Sequence, residues 1–181
     1  MKILLFGVSN VGKSATGKLL AERIGYKYYD LDDEIKKKHQ MLLEEFVHTR
    51  NLRWRDQQRG VVIKKVLSKD ENMVFAITPI SYSHNFRNRI LEKDVLAIEL
   101  VDTPENIFDR LVFSDENDNI YTDDEYKNLH RDYYLSEIEE DIKWYGKVNS
   151  EIGIKHKFIM KNDSTERVVE RLIAEYHLDA L

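Results

Sequence analysis

One stretch, Gly7-Val8-Ser9-Asn10-Val11-Gly12-Lys13-Ser14, has the residue types and the spacing of a loop that holds nucleotide phosphates. Two glycines let the backbone curl so that its N–H groups point inward, and the N-terminus of a following helix adds positive potential. The Lys13 ammonium suits the β- and γ-phosphates, and the Ser14 hydroxyl suits Mg²⁺. We therefore expect a nucleoside triphosphate with Mg²⁺ to bind at Gly7, Asn10, Val11, Gly12, Lys13, Ser14 and Ala15.

The residues on either side of this loop predict the elements that would hold it in place. A short apolar run, Ile3–Phe6, is typical of a buried strand, and 15–24 carries apolar residues at helical spacing. The motif is meaningful only in the order strand, loop, helix, and that order is present.

A translation-type GTPase is an alternative, because Asn10-Val11-Gly12-Lys13-Ser14 also resembles the loop of those proteins. Such proteins need an N-K-x-D segment that recognises guanine and a D-x-x-G switch. The sequence contains neither, and its nearest segment is Met160-Lys161-Asn162-Asp163. We therefore expect a different class of nucleotide-binding protein.

Predicted strands and helices alternate along the whole chain. This order indicates an α/β fold with three α/β/α layers and a five-stranded parallel sheet. The predicted strands are 3–6, 26–29, 73–77, 95–100 and 156–160, and the predicted helices are 15–24, about 35–48, 50–65, 84–91, 104–111, 125–150 and 165–176. Residues 113–124 are acidic and have no apolar period, which predicts a mobile loop.

Polar residues follow several of the predicted strands. Asp30 and Asp32 follow the second strand, Thr78 the third and Asn162 the fifth. Ligands of parallel sheets bind at the carboxyl ends of strands, so these residues and the phosphate loop should converge. Asp30 and Asp32 could instead simply cap a helix, because aspartate is favoured at helix N-termini.

Composition excludes several classes of protein. The net charge is −5 and the pI about 5.7, which argues against a nucleic-acid or membrane-surface binder. There is no cysteine, and no apolar run approaches the roughly 20 residues that cross a bilayer. We expect a cytoplasmic monomer, one P-loop domain over 1–181, that acts on a small molecule.

With these residues identified, the chain resembles the shikimate kinases of the nucleoside-monophosphate-kinase-like group. The resemblance is carried by Gly12-Lys13-Ser14, Leu20-Ala21, Gly25 and Asp30-Leu31-Asp32-Asp33-Glu34-Ile35. It implies a phosphotransferase with an alcohol group as acceptor. Lys13 and Asp32 would be catalytic, with Asp32 accepting from substrate hydroxyls, and Ser14 and Asp30 would hold Mg²⁺.

The resemblance also implies where the acceptor and the adenine bind. Trp54-Arg55 stands where the family has Phe-Arg, so Arg55 would pair with an acceptor carboxylate, for which a guanidinium fork is well suited. Thr78 would line the acceptor site. Arg110 matches an arginine that stacks on adenine, and Asn162 lies in the turn that matches the adenine loop.

Three departures from the family pattern concern the acceptor and the lid. Ile77-Thr78-Pro79 replaces a Gly-Gly-Gly turn, and proline removes a backbone donor. The region that should carry a second carboxylate-binding arginine is 139–143, Glu-Glu-Asp-Ile-Lys. The lid, about 112–125, lacks its arginine-proline pair and contains Ser114-Asp115-Glu116-Asn117-Asp118 instead.

Two hypotheses follow. The first is an ATP-dependent kinase that phosphorylates a hydroxyl of a small anionic acceptor other than shikimate, or uses shikimate poorly. No lysine or arginine lies between Arg110 and Lys127, so its catalytic cation would be Arg110, Lys127 or Arg131. The second is a degenerate relative that binds ATP and serves as a regulatory or interaction domain.

Overall fold

A parallel sheet of five strands forms the centre of the computed structural model, which describes residues 1–178. Its spatial order is β2-β3-β1-β4-β7, which confirms the predicted fold class. The strands are β1 (Lys2–Phe6), β2 (Lys27–Asp30), β3 (Met73–Ala76), β4 (Val95–Val101) and β7 (His156–Ile159), and a separate antiparallel pair is formed by β5 (Phe113–Ser114) and β6 (Ile120–Tyr121).

Helices cover both faces of the sheet. They are α1 (Lys13–Ile24), α2 (Leu31–His39), α3 (Leu43–His48), α4 (Leu52–Leu67), α5 (Arg87–Ile90), α6 (Pro104–Asp109), α7 (Asp124–Leu129), α8 (Arg131–Ile152) and α9 (Thr165–Tyr176). Within residues 1–178, no helix combines the length and the apolar character that crossing a membrane requires.

The sheet separates two apolar cores. Leu4 and Phe6 of β1 face the core beneath α2, α3 and α4, whereas Ile3 and Leu5 face the core beneath α1 and α9. Because successive side chains of a strand point to opposite faces, a continuous apolar run fits a strand that is covered on both sides. The three predicted layers follow from this pattern.

The acidic segment is not the irregular loop that the sequence predicted. It forms the β5–β6 hairpin, in which the Phe113 and Tyr121 rings lie 5.8 Å apart. The Asp115 side chain closes the turn by accepting from the backbone N–H groups of Asn117 and Asn119 at 2.8 and 2.9 Å. Hydrogen bonds from the backbone to a side chain therefore stabilise this hairpin, although the segment has no periodic pattern of apolar residues.

Three predicted helices differ from those observed. The segment that was expected to run to His48 divides at Gln40, whose φ of 54° ends α2. The long helix expected over 125–150 divides at His130 into α7 and α8. The helix predicted over 84–91 is only the single turn α5.

Candidate active site

The phosphate loop links β1 to α1 at the carboxyl edge of the sheet. Gly7 has a φ of 136°, and a Cβ added there would lie 2.5 Å from the Leu100 carbonyl oxygen. Gly12 has a φ of 107° and immediately precedes α1. Both positions therefore need glycine, because other L-residues are strained in that conformation. Val11 is buried in the core, whereas Ala15 is exposed on the first turn of α1.

Lys13 folds back across this loop. Its Nζ donates to the carbonyl oxygens of Gly7 and Val8 at 2.9 and 2.7 Å. Burial lowers the pKa of Lys13 to about 8, and the nearby charges of Asp32 and Asp30 partly offset that shift. The ammonium is thus positioned where bound phosphates would supply a stronger counter-charge than the two carbonyl groups do.

Asp30 has the capping role and the contact expected of a metal-site residue at the same time. Its Oδ1 accepts from the Asp32 backbone N–H at 3.0 Å and so caps α2. Its Oδ2 accepts from the Ser14 hydroxyl at 2.7 Å and the Tyr28 hydroxyl at 2.9 Å. A hydroxyl and a carboxylate in contact are oxygen ligands of the kind that Mg²⁺ prefers.

Asp32 lies one residue into α2, with its side chain held by Thr78. The Thr78 hydroxyl donates to Asp32 Oδ1 at 2.7 Å. Burial raises the pKa of Asp32, and Asp30 raises it further, while the Thr78 hydrogen bond, Arg59 and Lys13 act in the opposite direction. A carboxylate with a raised pKa is a better proton acceptor than an exposed one.

Two cavities meet at these residues. The first, of about 160 Å³, contains the loop side chains Asn10, Lys13 and Ser14 together with Asp30. The second, of about 330 Å³, extends from there beneath α3, α4 and α8. Ser9, Asp32, Thr78 and Pro79 line both. The two aspartates and Thr78, which the sequence predicted to converge, are therefore brought together.

Arg55 lines the second cavity, which Asp32 also lines. Its Nη1 donates to the backbone carbonyls of Val47 and Arg50 at the turn between α3 and α4. Its Nε is buried and has no hydrogen-bond partner within residues 1–178. These contacts fix the guanidinium through neutral groups, and no carboxylate of the described residues pairs with it.

Sequence reasoning gave no individual role to Arg59, Asp141 or Tyr145, which also line the second cavity. Arg59 follows Arg55 by four residues, and that spacing places both on one face of a helix. The four-residue spacing could therefore have predicted that Arg59 lies on the same side of α4 as Arg55. Asp141 and Tyr145 lie on α8, and burial raises the pKa of each.

Arg110 and Asn162 come together beside the phosphate loop. The Arg110 guanidinium donates to Asn162 Oδ1 at 3.2 Å and to the Asn10 carbonyl at 3.3 Å. Asp102, which sequence reasoning missed, accepts from Arg110 Nη2 at 2.6 Å and has a side chain only 1% exposed. Burial raises the pKa of Asp102, but hydrogen bonds from Asn106 and Arg110 outweigh it and leave that pKa below its usual value.

The β5–β6 hairpin reaches the wall of the second cavity. Asp118, at its tip, accepts from the backbone N–H groups of Leu43 and Glu44 at 2.9 and 3.3 Å. Leu43 itself lines the second cavity. The expected cations Lys127 and Arg131 instead lie against the Phe108 ring, each 5.4 Å from its centroid, and line neither cavity.

Comparisons with known proteins identify a family that the sequence matches. A family model described as shikimate kinase matches residues 9–176. A shikimate kinase of Persephonella marina is 30% identical over 116 residues, which are 63% of this chain and 69% of that relative.

Solved structures give the same fold. The shikimate kinase of Aquifex aeolicus matches with a TM-score of 0.70 at 19% identity, over 100% of this chain and 99% of the other. That of Acinetobacter baumannii, in complex with shikimate, matches with a TM-score of 0.68 at 20% identity, over 99% and 94% of the two chains.

Proposed function

The chain belongs to the shikimate kinase family, and from that membership we propose that it is an ATP-dependent kinase for a small anionic alcohol. The observation that carries the proposal is the position of Asp32, which lines both the phosphate cavity and the neighbouring cavity. A group that takes the proton of an attacking hydroxyl must lie within hydrogen-bond reach of that hydroxyl, at the place where the acceptor meets the transferred phosphoryl group.

In the proposed reaction, the acceptor hydroxyl oxygen attacks the γ-phosphorus of ATP. A new P–O bond forms, the bond from the γ-phosphorus to the β–γ bridging oxygen breaks, and ADP leaves. The hydroxyl proton passes to the Asp32 carboxylate, whose Oδ1 is held by Thr78. Lys13 stabilises charge on the β- and γ-phosphates, and catalysis rests mainly on positioning and electrostatics.

Ser14 and Asp30 are the residues that would hold Mg²⁺. Their side chains are in contact at 2.7 Å, and both are oxygen ligands. The ion would neutralise phosphate charge during transfer. Arg110 and Asn162, which meet beside the loop, would contact the adenine.

The position of Arg55 supports an anionic acceptor. Its side chain lines the second cavity, and its positive charge has no carboxylate partner within residues 1–178. Shikimate itself is a poor match. Thr78 and Pro79 form the cavity wall where the family has three glycines, and Asp141 lines the cavity from the helix that should carry a second arginine. We therefore propose an anionic acceptor other than shikimate, or weak use of shikimate.

A screen of acceptor-stimulated ADP release tests this function. Hydroxy acids, sugars, nucleosides and shikimate are each added to the protein with ATP and Mg²⁺, with Asp32→Asn as the control variant. We expect an anionic alcohol to stimulate release far more than shikimate, and Asp32→Asn to abolish that stimulation. Turnover of shikimate at the efficiency usual for the family would contradict the assignment of the acceptor.

The second candidate function is an ATP-binding regulatory or interaction domain. One observation favours it: the hairpin contains no lysine or arginine, and neither Lys127 nor Arg131 lines the two cavities. ATP binding with no stimulation by any acceptor, and no effect of Asp32→Asn on basal ADP release, would support this function over the kinase.

A further inference from the structure

A second arginine, Arg59, lies in the wall of the cavity that Arg55 lines. It belongs to α4, one helical turn after Arg55, and its side chain is only 7% exposed. Arginine is rarely buried without a function or a full set of partners, because removing a guanidinium from water is costly.

Neighbouring residues hold this guanidinium in one orientation. Its Nη1 donates to Asp56 Oδ1 at 2.9 Å, and it lies 5.5 Å from the centroid of the Phe46 ring. Asp56 is itself fully buried, and its Oδ2 accepts from the backbone N–H groups of Ser81 and Tyr82 at 3.0 Å each. Asp56 is therefore a fixed support that also ties α4 to the 81–82 segment.

The protein satisfies only part of the hydrogen-bonding capacity of this group. A guanidinium has five N–H donors, and in the described chain only Nη1 of Arg59 has a partner. The Nε atoms of Arg55 and Arg59 are both buried and both lack a partner within residues 1–178. An ion pair between Arg59 and Asp56 does not account for the unpartnered Nε of the neighbouring Arg55.

Resting on the function proposed above, we propose that Arg55 and Arg59 together form a clamp for the oxyanion of the acceptor. Residues four apart on a helix have Cβ atoms about 5–6 Å apart, a separation that lets two guanidinium groups share one carboxylate or phosphate. Arg59 is then an acceptor-binding residue, and α4 supplies positive charge that recognises the acceptor.

The placement of the clamp defines the class of acceptor. Asp32 lines the same cavity and would receive the reacting hydroxyl, so the acceptor must carry its oxyanion and its hydroxyl on one small skeleton. Asp141 lines the cavity from α8, and a second negative charge on that side would be repelled. The inferred acceptor is a hydroxylated molecule with a single oxyanionic group, either a carboxylate or a phosphate monoester.

Nuclear magnetic resonance of the arginine Nε–H groups tests the clamp directly. The full chain is saturated with Mg²⁺ and a non-hydrolysable ATP analogue, so that the phosphate loop is filled, and then titrated separately with shikimate, glycerol 3-phosphate and glycerol. We expect the Nε–H signals of Arg55 and Arg59 to shift together with a carboxylate or phosphate probe and to remain unmoved with glycerol. Comparison of the two anionic probes distinguishes the two oxyanion chemistries.

Variants give the second measurement. Arg59→Gln should weaken binding of the effective probe about tenfold, whereas Arg53→Gln, an exposed arginine on the same helix that does not line this cavity, should change it less than twofold. Arg59→Lys should restore only part of the affinity, because lysine lacks the planar fork. If Arg59→Gln does not fold, the titration of the parent protein still tests whether Arg55 and Arg59 bind the same anion.

Two results would overturn the clamp: a shift of the Arg55 signal without Arg59, or no shift of either with any anion up to about 50 mM. A different result would contradict the proposed function. Joint shifts without phosphoryl transfer to any acceptor would leave the clamp intact and remove the kinase, whereas transfer with an unmoved Arg59 signal would do the reverse.

Discussion

The cavity at the phosphate loop and the second cavity, which we call the acceptor cavity after its proposed ligand, share Asp32 and Thr78. The loop and the acceptor cavity nevertheless depend on the sequence in different ways. The loop is proposed to bind phosphates through backbone N–H groups, and its shape requires glycine at Gly7, where a Cβ would meet the Leu100 carbonyl oxygen at 2.5 Å. Few sequences meet that requirement, so the motif alone identifies the loop.

The acceptor cavity is built instead from side chains that project from α2, α3, α4 and α8. A helix can exchange one projecting residue for another without changing its backbone. The cavity can therefore acquire Asp141 and Arg59 while the loop beside it stays unchanged. Membership of a family accordingly predicts the phosphate chemistry of this chain better than it predicts the acceptor.

The largest effect should come from the loop. Lys13→Ala removes the loop side chain that we propose as the partner of the β- and γ-phosphates. We expect ATP affinity to fall about a hundredfold, or about 2.7 kcal/mol, and ATP to lose its effect on the melting temperature. Calorimetry measures the affinity, and circular dichroism checks that the variant remains folded. Equal affinity in variant and parent would contradict the assignment of the loop.

Arg55→Ala should affect the acceptor side alone. Loss of a bidentate, charge-assisted pair costs about 1.5–3 kcal/mol, so the acceptor KM should rise roughly ten- to a hundredfold while ATP binding stays unchanged. Steady-state kinetics with each substrate varied in turn separates the two effects. A parallel loss of ATP affinity would mean that Arg55 supports the fold rather than the acceptor.

Asp30→Asn and Asp33→Asn compare the metal-site and capping explanations of the aspartate cluster. Asp30 contacts Ser14, whereas Asp33 is exposed and pairs with Lys36 at 3.1 Å. Asparagine still caps a helix, so Asp30→Asn should keep the cap and weaken the Mg²⁺ dependence of ATP binding about tenfold. Magnesium titrations of ATP affinity provide the measurement, and equal effects of the two substitutions would leave Asp30 only a cap.

The sequence predicted the central strands well because both of their faces are covered. A strand such as Met73–Ala76 is buried throughout, and a continuous apolar run is its direct signature. The β5–β6 hairpin had no such signature. It depends on the Asp115 turn and on contacts of Phe113 with residues distant in the chain, among them Tyr134 at 5.9 Å.

The same distinction applies to the candidate site. The motif and the family resemblance located Lys13, Ser14, Asp30 and Asp32, which come from contiguous segments. Arg59 differs from the other arginines of α4 only through Asp56 and Phe46, and Phe46 approaches it from another helix. A single sequence does not contain that tertiary information, although the four-residue spacing from Arg55 was visible.

The buried ammonium of Lys13 predicts a pH-dependent gain in stability for Lys13→Met without nucleotide. The pKa of Lys13 is lowered from its usual 10.5 to about 8 in the folded chain, so below pH 8 the folded state bears the full cost of a buried charge. Between pH 8 and 10.5 the unfolded chain binds more protons than the folded chain does. The free energy of unfolding of the parent protein therefore rises with pH in this range. Lys13→Met should raise the melting temperature by roughly 2–4 °C at pH 7, which corresponds to about 1 kcal/mol.

Thermal melts at pH 7 and pH 9.5 check this sign, because the advantage of the variant should shrink at the higher pH. Lys18→Met, an exposed residue of the same helix, is the control and should show no such dependence. A constant advantage at both pH values would assign the effect to packing of the methionine rather than to the buried charge.

The smallest effect should come from the hairpin, where Asp118 contacts the wall of the acceptor cavity. Asp118 accepts from the N–H groups of Leu43 and Glu44, and its side chain is 18% exposed. A hydrogen bond of this kind contributes about 0.5–1.5 kcal/mol, so Asp118→Ala should raise the acceptor KM about threefold and leave ATP affinity unchanged. Hydrogen exchange at the Leu43 and Glu44 amides should quicken by a similar factor. Glu116→Ala, an exposed neighbour on the same turn, is the matched control. If both variants exchange alike, the hairpin does not hold this wall, and the acceptor cavity is shaped by the helices alone.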